Sequence, residues 1–229
     1  MVQVNNEKLF IRLKFKKTGN LQYISHLDLV RTMHKVIVRA DLPLWYTEGF
    51  NPKPKMIFAA PLSIGTESLS EFLDLRLTER MDPKEVMARL NRNMVSDMQI
   101  YDAYYPESKF TELQWISYRI QLRLIDVSDE TVSKISACLS ADAIEVAKKS
   151  GEGTTDIKPL IKSFEVTKKE GYIEIYTLLS ANPSAFLNPE YVIKALKSNI
   201  GILKEENLLS ESYSIMREEG YFGDMSVFK

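Results

Sequence analysis

One cysteine and two histidines are all the thiol and imidazole metal ligands this sequence of 229 residues holds. A lone thiol excludes an intrachain disulfide, a cysteine-ligated iron–sulfur cluster and every multi-cysteine zinc motif within one chain. Cys138 falls in the apolar pattern of a helix predicted to run from Ser128 to about Leu139, so a buried structural thiol is expected. His26 and His34 share a helix but are eight positions apart, and neither has a partner at i+4, so no zinc pair forms. There is no GxGxxG fingerprint, no Walker loop and no GxSxG elbow. No paired carboxylates stand at a glycosidase or metal spacing, and no cofactor is expected to be held by the chain itself. No stretch approaches the roughly 18 apolar residues of a membrane span. The opening MVQVNNEKLF lacks a signal-peptide core, so a cytoplasmic protein with no membrane partner is expected.

The remaining composition is ordinary for a globular protein, at 45% hydrophobic and 27% charged. A chain of this length buries roughly 70% of its unfolded surface and needs no covalent staple. The formal net charge of −1 hides an asymmetry: residues 1–70 carry ten Lys/Arg against five Asp/Glu, or +5, which leaves −6 for the rest. A basic first third is either an anion or RNA footprint or an unevenly charged solvated surface.

Residues 8–17 alternate apolar and basic, with Leu9, Ile11, Leu13 and Phe15 against Lys8, Arg12, Lys14 and Lys16, which predicts a strand with one buried face. Ser25 and Asp28 form a capping-box-like start to a helix. Its predicted core face is Val30, Met33, Ile37 and Ala40; its polar stripe is Asp28, Arg31, Lys35 and Arg39. Short strands are predicted at 44–46 and, as a buried apolar run, at 56–61; a further strand follows at 71–77. Asp82-Pro83 then opens a second helix, and a strand at 99–105 closes the half. The second half reads as a strand at 116–124, a helix from Ser128, strands at 143–147, 157–166 and 172–178, and a helix opened by Asn188-Pro189. The stretch after Leu203 reads as a charged segment and a tail containing glycine and aromatics. The pattern suits an α+β protein of two ferredoxin-like α/β sandwich halves in tandem, residues 1–106 and 113–229.

The most unusual local stretch is the loop 48–55, Glu-Gly-Phe-Asn-Pro-Lys-Pro-Lys. Pro52 and Pro54 stiffen it, Lys53 and Lys55 alternate with them, Gly49 gives backbone freedom and Phe50 offers a stacking face. Aromatic plus basic on a preorganised loop suits single-stranded nucleic acid, and equally a protein-docking loop. His26 is the weak candidate for a catalytic base, while Arg31 and Arg39 match phosphate or carboxylate bidentately.

The run Tyr23-Ile24-Ser25-His26-Leu27-Asp28-Leu29-Val30-Arg31, then Arg39-Ala40-Asp41-Leu42-Pro43, Glu48-Gly49-Phe50-Asn51-Pro52-Lys53-Pro54-Lys55, and Ala60-Pro61-Leu62 with Gly65 and Glu71, resembles the radical SAM-linked protein family. This is a bacterial family of undetermined function. Its members look free-standing or form the C-terminal part of a larger radical SAM, B12-binding-type protein. Asp156-Ile157-Lys158-Pro159 and the Asn188-Pro189 helix also fit. Thr47 departs mildly, standing where the family commonly has Ser. The resemblance implies a radical SAM partner that owns the cluster, and an association with RNA metabolism.

Three functional readings follow. One is a non-catalytic accessory or binding protein for RNA or RNA modification, presenting Tyr23, His26, Asp28, Arg31, Arg39, Gly49, Phe50, Asn51, Lys53 and Lys55. Another is a metal-independent endoribonuclease with His26 as base. The third is a protein–protein scaffold.

Overall fold

Alternating Ile11, Leu13 and Phe15 form strand β1 (Phe10–Lys17), and all three are fully buried. The computed structural model describes residues 9–148, 151, 153–204 and 210–229; Lys8, Glu205 and Glu206 of the expected elements lie outside them. The chain divides into two compact units, residues 1–110 with Lys229, and residues 111–228.

In the first unit β1 leads through a 3₁₀ turn (Gly19–Tyr23) into helix α1 (His26–Arg39). Strands β2 (Met56–Phe58) and β3 (Thr66–Arg76), helix α2 (Pro83–Asn91) and strand β4 (Ile100–Tyr104) follow. β1 lies between β4 and β3, and β2 pairs with β3, with all pairings antiparallel. Leu13 faces Leu73 on β3, and Ile57 faces Asp74. α1 buries Leu29, Met33, Val36 and Ile37 against β1 and β3, and α2 adds Val86 and Leu90. Each such side chain contributes roughly 1.5–3 kcal/mol by leaving water.

The second unit repeats that connectivity. It runs through β5 (Trp115–Arg123), α3 (Asp129–Ser140), the pair β6 (Glu145–Ala147) and β7 (Thr154–Asp156), β8 (Ile161–Lys169), β9 (Tyr172–Ser180), α4 (Glu190–Ile200) and β10 (Ser212–Tyr221). β5 lies between β10 and β9, and β8 pairs with β9, again antiparallel. Each unit therefore has a central first strand flanked by its last and its next-to-last strand. The helix starts follow the sequence signals: Ser128 Oγ accepts the Thr131 N–H at 3.2 Å, and Asn188 Oδ1 accepts the Glu190 N–H at 3.0 Å.

Several expectations need correction. Much of the basic face of β1 does not meet solvent: Arg12 and Lys14 are buried, Lys16 stays half-exposed, and Lys17 at the strand's end is buried as well. Arg12 donates to both carboxylate oxygens of Asp74 at 2.7 and 2.9 Å, and its guanidinium lies 4.2 Å from the Phe110 ring centre. Burial pushes the Asp74 carboxyl above the usual range while Arg12 pulls the other way. Neighbouring Tyr104 is pushed up to about 12, mainly by burial. Part of the N-terminal positive charge is thus spent inside the fold.

The expected buried strand at 56–61 is three residues long and half-exposed, with Ile57 open to solvent. The expected tail is largely strand β10, whose Glu218 pairs by charge with its neighbour. Arg119 of β5 meets Glu218 at 2.6 Å and Glu174 of β9 at 3.2 Å. β7 and a 3₁₀ turn (Lys158–Leu160) occupy part of the predicted 157–166 region and its approach. Cys138 is half-buried, with the Asn199 side-chain amide 3.7 Å from its sulfur.

Asp156 holds this region together. Its carboxylate accepts the N–H groups of Ile144 and Lys158 at 2.8 and 2.9 Å, which keeps it below the usual carboxylate range. A depressed folded-state value means the contribution is complete above the unfolded value of about 4 and disappears as pH falls through the folded one. Acid unfolding followed by circular dichroism is expected to show wild-type stability falling below about pH 4, and Asp156→Asn is expected to flatten that dependence. An identical acid profile in the variant would contradict this role.

Candidate functional site: a cationic groove

Helix α1 starts where it does because Ser25 Oγ accepts the Asp28 N–H at 3.1 Å and donates to the Asp28 carboxylate at 2.7 Å. That hydrogen bond, reinforced by Arg31, holds the Asp28 carboxyl below its usual range. The fixed start puts His26 at the first helical position. His26, Val30 and His34 then share one stripe, and Leu27, Arg31 and Lys35 the next, since residues four apart lie on one face. Both stripes line an open groove of about 1030 Å³.

The opposite wall is extended chain. Tyr46 bridges to Pro54, the Lys55 N–H donates to the Trp45 carbonyl at 3.1 Å, and the Arg76 N–H donates to the Lys55 carbonyl at 3.0 Å. Pro54 is buried by this pairing while Lys53 and Lys55 stay exposed, so the alternating prolines and lysines do project their charges from a stiff segment. Beyond them Ile57 and Phe58 of β2 continue the wall. His26 meets Phe58 edge-to-face, with ring centres 5.4 Å apart.

Four cations line the groove, Arg31, Lys35, Lys53 and Lys55, and no Asp or Glu is among the lining residues. Asp28 sits at its edge, 3.3 Å from Arg31 in an exposed pair that contributes little. Leu27 and Ile57 give the groove an apolar lining that water reaches, at 57% and 39% exposure. Cations over an apolar surface suit a ligand with a repeated negative charge and flat unpaired rings. Among the described residues no group of three or more His, Cys, Asp or Glu could hold a metal ion. Nor is any helix among them long and apolar enough to cross a membrane.

Of the residues singled out in the sequence, His26, Arg31, Lys53 and Lys55 meet in the groove. Arg39, two turns further along α1, is exposed but does not line it. Tyr23 precedes the helix in the 3₁₀ turn, and Gly49, Phe50 and Asn51 form a loop tip; none of these lines the groove either. Val30, expected in the core, is half-exposed and faces the groove, and Leu29 takes its place in the core. Leu27, Lys35 and Phe58 also line the groove, though none of them is among the candidate site residues read from the sequence. Lys35 was recoverable from its place on the basic stripe, four residues after Arg31.

A family model described as "Uncharacterized protein conserved in bacteria (DUF2344)" matches residues 11–189. No curated protein matches the chain. Among solved structures, an unknown protein from Galdieria sulphuraria is 11% identical, over 92% of this chain and 99% of that one, with a TM-score of 0.28. The encapsulated DyP-type peroxidase from Mycobacterium smegmatis is 11% identical, over 91% of each chain, with a TM-score of 0.22. An anthrone oxidase-like protein is 7% identical, over 93% of this chain and 92% of that one, with a TM-score of 0.25. TM-scores this low establish neither a shared fold nor a shared activity.

Proposed function

The chain belongs to this bacterial family, and we propose that it is a non-catalytic RNA-binding accessory protein that works with a radical SAM enzyme in RNA modification. The observation that carries the RNA reading is the groove: Arg31, Lys35, Lys53 and Lys55 on an apolar lining with no lining carboxylate. Backbone phosphates would meet the cations, and bases would lie against Leu27, Ile57 and Phe58. The radical SAM partner rests on the resemblance of the 23–74 region. It agrees with the cysteine count, since a radical SAM cluster takes three nearby thiolates and this chain has one. The ferredoxin-like reading of each unit is supported by their common connectivity and strand order.

The test is fluorescence anisotropy of the purified protein with a labelled single-stranded RNA across a salt series, with the RNA then run on a denaturing gel. Binding that weakens steeply with salt and leaves the RNA full-length is expected. No binding at low salt would overturn the RNA reading and favour a scaffold. Cleavage that disappears in His26→Ala would replace the non-catalytic reading with the endoribonuclease.

A further inference from the structure

Phe50 is the most exposed large apolar side chain of the protein's described residues, at 112% of its reference exposure. A single exposed aromatic is common and means little by itself. This one stands on a loop whose ends are tied. The Thr47 N–H donates to the Lys53 carbonyl at 2.9 Å, and Thr47 Oγ1 accepts the Lys53 N–H at 3.1 Å. Below these bonds Tyr46 bridges to Pro54. Gly49, immediately before Phe50, has φ +116°, a conformation that other residues adopt only with strain. The loop therefore spends its one special backbone position on turning the chain at Phe50. No neighbouring atom lies within 4 Å of where a side chain on Gly49 would begin, so space is not what requires glycine there. Phe50 is three residues from Lys53, hence at most about 10 Å from it along the chain. Lys53 is itself on the groove wall.

We infer that Phe50 is a stacking contact for an unpaired base of the strand held in the groove, and that it makes the site prefer single-stranded over double-stranded RNA. The inference rests on the groove being an RNA site. A ring on a tied loop gives up little freedom on binding, so more of the stacking energy appears as affinity. A base in a duplex already has both faces covered by its neighbours, and a side chain can stack on it only after it is unpaired. Lysines at the groove wall would serve both kinds of RNA through their phosphates. Phe50 would serve only the strand with free bases.

The experiment compares wild type, Phe50→Ala and Phe50→Trp on one labelled RNA, single-stranded and annealed to its complement. Phe50→Ala is expected to weaken single-strand binding about 5- to 150-fold, the range for one stacked base. Duplex binding is expected to stay unchanged, and Phe50→Trp to bind the single strand at least as well as wild type. Equal single-strand affinity in wild type and Phe50→Ala overturns the inference, and so does an equal loss on both RNAs. Failure of the groove itself reads out separately, as an unchanged salt dependence when Arg31, Lys35, Lys53 and Lys55 are all replaced by Ala.

Discussion

The protein carrying Arg31→Ala, Lys35→Ala, Lys53→Ala and Lys55→Ala is expected to fold normally and to lose most of its salt-sensitive RNA affinity. All four side chains are exposed, and the ion pair of Arg31 with Asp28 is a surface pair that contributes little to stability. Each single-strand phosphate contact adds about 0.7 to the slope of log affinity against log salt, so the slope is expected to become shallower by about 3. Over a fourfold rise in salt that share alone amounts to about 50-fold in affinity. Arg39→Ala is the matched control: it removes a cation from the same helix but outside the groove, and its slope is expected to stay near that of wild type. Equal effects of Arg39→Ala and Lys35→Ala would mean that general charge, rather than the groove, binds RNA.

Asp74→Ala is expected to destabilise the protein by about 3–5 kcal/mol, the range for removing one partner of a buried ion pair. The Arg12 side chain is fully buried and that of Asp74 nearly so, and the guanidinium would keep its charge after losing the Asp74 carboxylate, with the Ser108 and Lys229 oxygens still beside it. Urea unfolding measures the loss. Arg12→Met together with Asp74→Leu is expected to recover most of it, because the cost comes mainly from a buried charge that has lost its Asp74 carboxylate rather than from the missing contact. A cost under about 1 kcal/mol for Asp74→Ala would show that the other neighbours of Arg12 suffice to hold its charge. The raised carboxyl of Asp74 is consistent with burial being the larger of the two influences on it.

The two largest effects thus turn on basic residues that look alike in the sequence. Arg12 and Lys14 read as the wet face of a half-buried strand, just as Lys53 and Lys55 read as a wet loop. One pair is enclosed and the other lines an open groove. Local alternation reports that two faces differ. It does not report whether the polar face meets water or a buried carboxylate supplied by a residue 62 positions away, as Asp74 is from Arg12. Strand β10 shows the same limit. Its Glu218 is satisfied by Arg119, 99 positions earlier, so a stretch that reads as a tail containing glycine and aromatics forms a strand.

The sequence by itself determined the helix starts at Ser25, Asp82 and Ser128, because a cap is a bond between residues two or three apart. It likewise determined the stiffness of the segment that carries Lys53 and Lys55, since a proline constrains its own backbone and its neighbour's. It also excluded a multi-cysteine cofactor by count alone. Only the tertiary structure decided that His26, Arg31 and Lys35 stand opposite Lys53 and Lys55 while Arg39 does not, and that Val30 leaves the core for the groove. These are matters of which helix face meets the sheet. The packing of Leu29, Met33, Val36 and Ile37 against β1 and β3 sets that rotation, and no spacing within α1 alone carries it.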